Sequence, residues 1–203
     1  MSVQEHSDLL SKVQLEWNKA EAAIKAAEMT SHDVVVPSIN ELRYAGRKLV
    51  DALELLSTQA DREQVETLLR EAVFNCQLAR YDAIDAVTAV IALNADLLIE
   101  NVGYNSLLSY YPNFSGFLKK IQQIRERIAA SREDRSQRST IYSAIEITDL
   151  PELINEYERV RSLEPVLKGV ERKRRKELLI SRITALGGLI FGLLGMISAI
   201  FFH

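Results

Sequence analysis

Residues 183–202 read I-T-A-L-G-G-L-I-F-G-L-L-G-M-I-S-A-I-F-F and contain no charged side chain. At about 1.5 Å of rise per residue, a helix of this length reaches roughly 30 Å, the thickness of a bilayer's hydrocarbon core. A buried core helix is the competing reading, but core helices are usually shorter and amphipathic, and roughly 18 uncharged apolar residues mark a membrane span. The run therefore predicts a transmembrane anchor at 183–202, with only His203 after it, as in a tail-anchored, single-pass protein. Residues 1–15 are polar and lack an apolar core, so no secretory signal is expected there.

A basic neck, residues 166–182, precedes the run. Lys168, Arg172, Lys173, Arg174, Arg175, Lys176 and Arg182 are interrupted only by Glu171 and Glu177. Cations this close to a span stay on the cytoplasmic side and are attracted to anionic lipid headgroups. The N-terminal body is thus expected in the cytosol, below an inner (plasma) membrane. The chain has 25 basic and 28 acidic residues; without the neck, 18 and 26 remain, a net −8. An acidic body argues against general nucleic-acid binding, which needs a basic surface.

Within the run, Ala185, Gly188, Gly192, Gly195 and Ala199 are spaced 3, 4, 3, 4. That spacing places five small residues on one helix face, as in one seam of a coiled coil. Such seams let membrane helices approach closely, so the anchor is expected to self-associate or to pack on a partner's span.

The body, residues 1–165, is long enough for a sizeable core. It shows helical periods and no strand alternation. Leu10, Val13, Trp17, Ala20, Ile24 and Ala27 predict a helix over about 7–29. Pro37 opens a second, with the stripe Ile39, Leu42, Gly46, Leu49, Leu53 and Leu56. A third starts near Asp61, its stripe running Val65, Leu69, Ala72, Cys76, Ala79, Ala83, Ala86, Val90, Leu93 and Leu97. Gly103 and residues 110–113 read as a connection. A fourth helix begins near Phe114 and runs on into Ser131–Arg138. A fifth spans about 150–161, with Asp149 as its cap and Pro151 in its first turn. A last helix follows Pro165 through the neck. The expected fold is all-α, an antiparallel four- to five-helix bundle with a C-terminal transmembrane helix.

The chemical inventory is short. His6, His32 and His203 have no metal-ligand spacing to one another, to Cys76 or to a carboxylate. Cys76, the one cysteine, falls within an apolar stripe and reads as a small core residue. No phosphate-binding glycine loop or nucleophile motif occurs, so no catalytic residue, cofactor or metal is assigned. One polar constellation stands out: Glu41, Arg43 and Arg47 on the second helix, and Arg80, Asp82 and Asp85 on the third. It reads either as an inter-helix salt-bridge set or as a cleft for a ligand or partner. A mild basic stripe, including Arg132 and Arg138, reads as a solvated face.

I-N-E-L-R-Y-A-G-R-K-L-V-D-A-L (39–53) and E-A-V-F-N-C-Q-L-A-R-Y-D-A-I-D-A-V (71–87) resemble the HEPN-like helical domains of prokaryotic defence systems. The resemblance implies a helical fold and a defence setting. Active members carry an Arg and a following His separated by four to six residues, and no arginine here precedes a His at that spacing, so the resemblance does not carry ribonuclease activity with it. The leading expectation is a membrane-anchored helical protein that binds an unidentified cytosolic protein partner or signal and oligomerises through its anchor, as an effector or accessory subunit of a defence or stress module. The alternatives are a HEPN-like RNA-cleaving enzyme with an atypical site and a passive membrane scaffold.

Overall fold

The computed structural model describes residues 3–58, 61–163, 165–178 and 180. The expected anchor, its small-residue seam and Arg182 lie outside the described residues. Among the described residues no helix is long and apolar enough to cross a membrane, and there is no strand. A short turn of 3-10 helix (Val3–His6) leads into α1 (Ser7–Ser31), α2 (Val36–Ser57), α3 (Arg62–Val102), α4 (Tyr104–Tyr110), α5 (Phe114–Glu133) and α6 (Arg138–Ala144). A π-helical turn (Ile145–Asp149) and α7 (Leu150–Ser162) follow, and 165–178 are helical again. The fold is an all-α helical bundle. It divides into two compact units, one from Met1–Asn94 with Gly116–Tyr157, the other from Ala95–Ser115 with residues 158 onward.

In the first unit, α1 buries Val13, Ala20, Ile24 and Ala27, four positions of its expected stripe. Glu16 and His6 are buried with them. α1 stops at His32, whose φ of 56° puts it in the left-handed region while its N–H donates to the Glu28 carbonyl, a common helix ending. Pro37 sits in the first turn of α2 as expected.

The buried face of α2 differs from the predicted stripe. Ser38, Ala45 and Ala52 are buried, whereas Ile39 and Leu53 are exposed. Leu49 and Leu56 flank the buried set and pack with Leu69, Val65 and Val73 of α3. The small residues win the interface because only short side chains let two helix axes come close, and the larger ones then fill its edges.

α3 changes faces along its length. Val65, Leu69, Ala72, Cys76, Ala79 and Ala83 are buried as expected, against α1 and α2. Beyond them Ile84, Val87, Ile91 and Ala95 are buried, while Leu93 and Leu97 of the expected stripe are exposed. The reason is a change of neighbours: Asp85 meets Arg132 of α5, Arg80 meets Ser143 of α6, and the Asn94 amide donates to the Tyr157 hydroxyl of α7 at 2.8 Å.

α5 runs into the charged Ser131–Arg138 segment but not through it. It ends at Glu133, because the Asp134 carboxylate accepts from both the backbone N–H and the hydroxyl of Ser136 (2.9 and 2.6 Å), a local turn that competes with helix. Nor does Asp149 cap a new helix. It lies in the π-helical turn joining α6 to α7, and its carboxylate pairs with Arg127 of α5. The wider turn also suits Pro151, which brings no N–H to the helix and whose ring would otherwise press on the carbonyl four residues back.

In the second unit, Gly103 (φ 92°) turns the chain sharply out of α3. The segment expected to be a connection forms α4, whose Leu107 is buried. Phe114 is buried here, and the exposed Tyr104 lies 6.2 Å from it between ring centres. On the 165–178 stretch, Leu167 is buried.

Candidate functional site

The densest polar cluster of the first unit lies at the middle of α3. Helical spacing puts Tyr81 and Asp82 on the side of Asp85, one turn on, while Arg80 faces α1 and the π-helical turn. The Arg80 side chain is 3% exposed and lies between two carboxylates, Glu16 of α1 at 3.5 Å and Glu146 of the π-helical turn at 3.6 Å. Its Nη2 donates to the Ser143 hydroxyl at 3.5 Å. Glu16 also holds Lys19 at 2.8 Å. A buried guanidinium between two carboxylates ties three elements together, and removing one partner would strand charge in a dry interior.

One turn further along α3, Asp85 accepts from the Tyr142 hydroxyl and from Arg132, both at 2.8 Å. The Tyr142 ring stacks on Tyr81 at 4.1 Å, and the Arg138 guanidinium covers both rings at 5.0 and 5.7 Å, a cation–π arrangement. Burial, then the hydrogen bond to Asp85, pushes the Tyr142 hydroxyl up to about 12. Asp82 is held above the ordinary aspartate range by burial and by the Asp85 charge, against the pull of Arg138 and Arg132. Burial and the Asp82 charge raise Glu41 in the same way.

Of the six residues expected to form a polar cleft, Arg80, Asp82 and Asp85 take part in this cluster, and Glu41 feels its charge. Arg47 instead pairs with Asp51 on its own helix at 3.0 Å, and Arg43 lies over the Tyr44 ring at 5.3 Å. The cations that reach Asp82 and Asp85 come from α5 and α6, while Lys48 of α2 pairs with Glu71 further back on α3. Glu16, Tyr142 and Glu146, with Arg132 and Arg138 that were expected on a solvated face, are the members that sequence reasoning missed. Glu16 carried a legible signal, a carboxylate on the apolar face between Val13 and Ala20; Tyr142 and Glu146 carried none.

Cys76 is fully buried, and burial followed by the Glu16 charge pushes its thiol up to about 11. That is the behaviour of a packed small hydrophobe and the reverse of an activated nucleophile. No group of three or more His, Cys, Asp or Glu side chains with metal-site geometry occurs among the described residues.

In the neck, Arg172, Lys173, Arg175 and Lys176 are exposed and Arg174 is half-buried. Arg175 pairs with Glu171 one turn back. Arg174 turns inward, its Nη1 donating to the Glu100 carbonyl at 3.0 Å.

No protein-family model matches the chain, and neither a curated protein nor a solved structure matches it.

Proposed function

We propose that this chain is a single-pass protein of the inner (plasma) membrane, anchored by residues 183–202, with its helical body on the cytosolic side and self-association through the anchor. The observation that carries the reading is the uncharged run itself, placed directly behind the basic neck. The exposure of Arg172, Lys173 and Lys176 supports it, since those charges are available to anionic headgroups. The net −8 of the remaining chain adds that the body is repelled by the same surface. A cytosolic protein partner, and a role as effector or accessory subunit of a defence or stress module, rest on the resemblance of residues 39–53 and 71–87.

Topology is the test. A reporter fused to the N-terminus should behave as cytosolic, and deleting 183–203 should move the protein from the carbonate-resistant membrane fraction to the soluble one. Labelling of the body from outside the cell, or a truncated chain that stays in the membrane fraction, would overturn the reading.

Self-association has its own test. Gly192→Leu, at the centre of the small-residue seam, should reduce crosslinked oligomer in membranes, because close packing drives helix association in lipid. Leu193→Ile, on another face, should leave the yield unchanged. Equal yields for both variants would remove the seam from the proposal.

A further inference from the structure

We infer that a cleft in the second unit, between residues 103–110 and the neck, binds the phosphodiester of an anionic phospholipid headgroup. The inference rests on the reading of 183–202 as a membrane span. The cleft measures about 720 Å³ and opens to solvent. One wall is hydrogen-bonding and uncharged, with Asn105, Ser106, Ser109 and the tyrosines 104 and 110. The other carries Lys173, Arg174 and Glu177.

Arg174 is built into this site. Its guanidinium occupies the space beside Gly103 that a side chain would need: a Cβ there would lie 2.9 Å from Nη1 and 3.2 Å from Cζ. The Glu100 carbonyl takes one donor at 3.0 Å, and a guanidinium has five, so others remain for a phosphate oxygen. Lys173 is exposed and lines the same cleft. Two cations against the single carboxylate of Glu177 leave one net positive charge. That matches the single negative charge of a phosphodiester better than the nearly double charge of a phosphomonoester.

The position selects a lipid as the source. Glu177 stands six residues before the apolar run, and six residues span at most about 20 Å however they are arranged. Tyr104 and Tyr110 are exposed at the cleft, and Leu178 and Ile180 are exposed just after it. Tyrosine beside exposed aliphatic side chains is the composition of a membrane interface.

The test uses the full chain in a zwitterionic detergent and soluble dihexanoyl phosphatidylglycerol as the probe, which reports on the cleft whether or not 183–202 spans a bilayer. Lys173→Gln/Arg174→Gln should weaken binding by roughly tenfold or more, and Gly103→Ala, which displaces Arg174 without changing charge, should weaken it too. Arg172→Gln/Lys176→Gln, with the same loss of charge on the neck but outside the cleft, should weaken binding far less than the cleft variant. Equal losses in both double variants would reduce the effect to diffuse attraction and overturn the inference. So would equal binding of dihexanoyl phosphatidylcholine, or full displacement of the probe by an equal concentration of inorganic phosphate. Circular dichroism of each variant separates lost binding from lost folding. The membrane-fraction experiment above fails or succeeds independently, so collapse of the anchor reading and collapse of the cleft are told apart.

Discussion

Arg80→Ala is expected to lower the stability of the helical body by about 3–5 kcal/mol, the usual cost of removing one partner from a buried charge network. That is a large share of the roughly 5–15 kcal/mol that holds a domain together. The guanidinium is 3% exposed and the Glu16 side chain 8%, so the loss leaves a carboxylate with little access to water. Glu146 is more exposed, at 28%, and recovers part of its hydration. The damage should therefore be traceable to Glu16. Adding Glu16→Gln and Glu146→Gln to Arg80→Met should restore much of the lost stability, because a neutral, space-filling set leaves no stranded charge. Urea unfolding of the detergent-solubilised chain, followed by far-UV circular dichroism, measures both steps. An Arg80→Ala chain that unfolds at the wild-type midpoint would mean that the guanidinium does not hold α1, α3 and the π-helical turn together.

Tyr142→Ala carries the second largest expected loss, about 3–5 kcal/mol for emptying a fully buried aromatic site. It removes the stack on Tyr81, the cover for Arg138 and the hydroxyl that donates to Asp85. Tyr142→Phe keeps the ring and should cost about 1–3 kcal/mol, toward the lower end because Arg132 still pairs with Asp85. The two variants also differ from wild type in alkaline solution. The Tyr142 hydroxyl is raised in the folded protein to about 12 from the ordinary 10. Its contribution is fully present below pH 10 and is lost as pH rises through about 12. Wild type should thus lose stability over that window more steeply than Tyr142→Phe, in unfolding midpoints measured at successive pH values. Parallel curves would show that the phenol is not held neutral by its surroundings.

Local sequence determined the parts of this protein that depend on one segment at a time. The α1 stripe from Val13 to Ala27, the start of α2 at Pro37, the small-residue run of α3 up to Ala83 and the all-helical class follow from periodicity, proline placement and the scarcity of breakers. The uncharged run at 183–202 and its basic neck are likewise plain in the residues alone. Tertiary structure decided which face of each helix is buried, because periodicity marks a face as apolar but not what lies opposite it. Ser38, Ala45 and Ala52 displaced Ile39 and Leu53 from the core of α2 since close helix approach favours the small side chain over the more hydrophobic one. The buried face of α3 turned where its neighbours changed from α1 and α2 to α5, α6 and α7. Arg80 took its partners from Glu16 and Glu146, more than sixty residues away on either side, a distance at which no local pattern can pair charges. Asp149 has the spacing of a helix cap, yet it was claimed by Arg127, because a carboxylate in reach of a guanidinium gains more than one left to cap a helix in water. Gly103 and Arg174 meet in the second unit for the same reason: a residue without a side chain leaves room for a distant cation, and only the folded chain brings that cation to it.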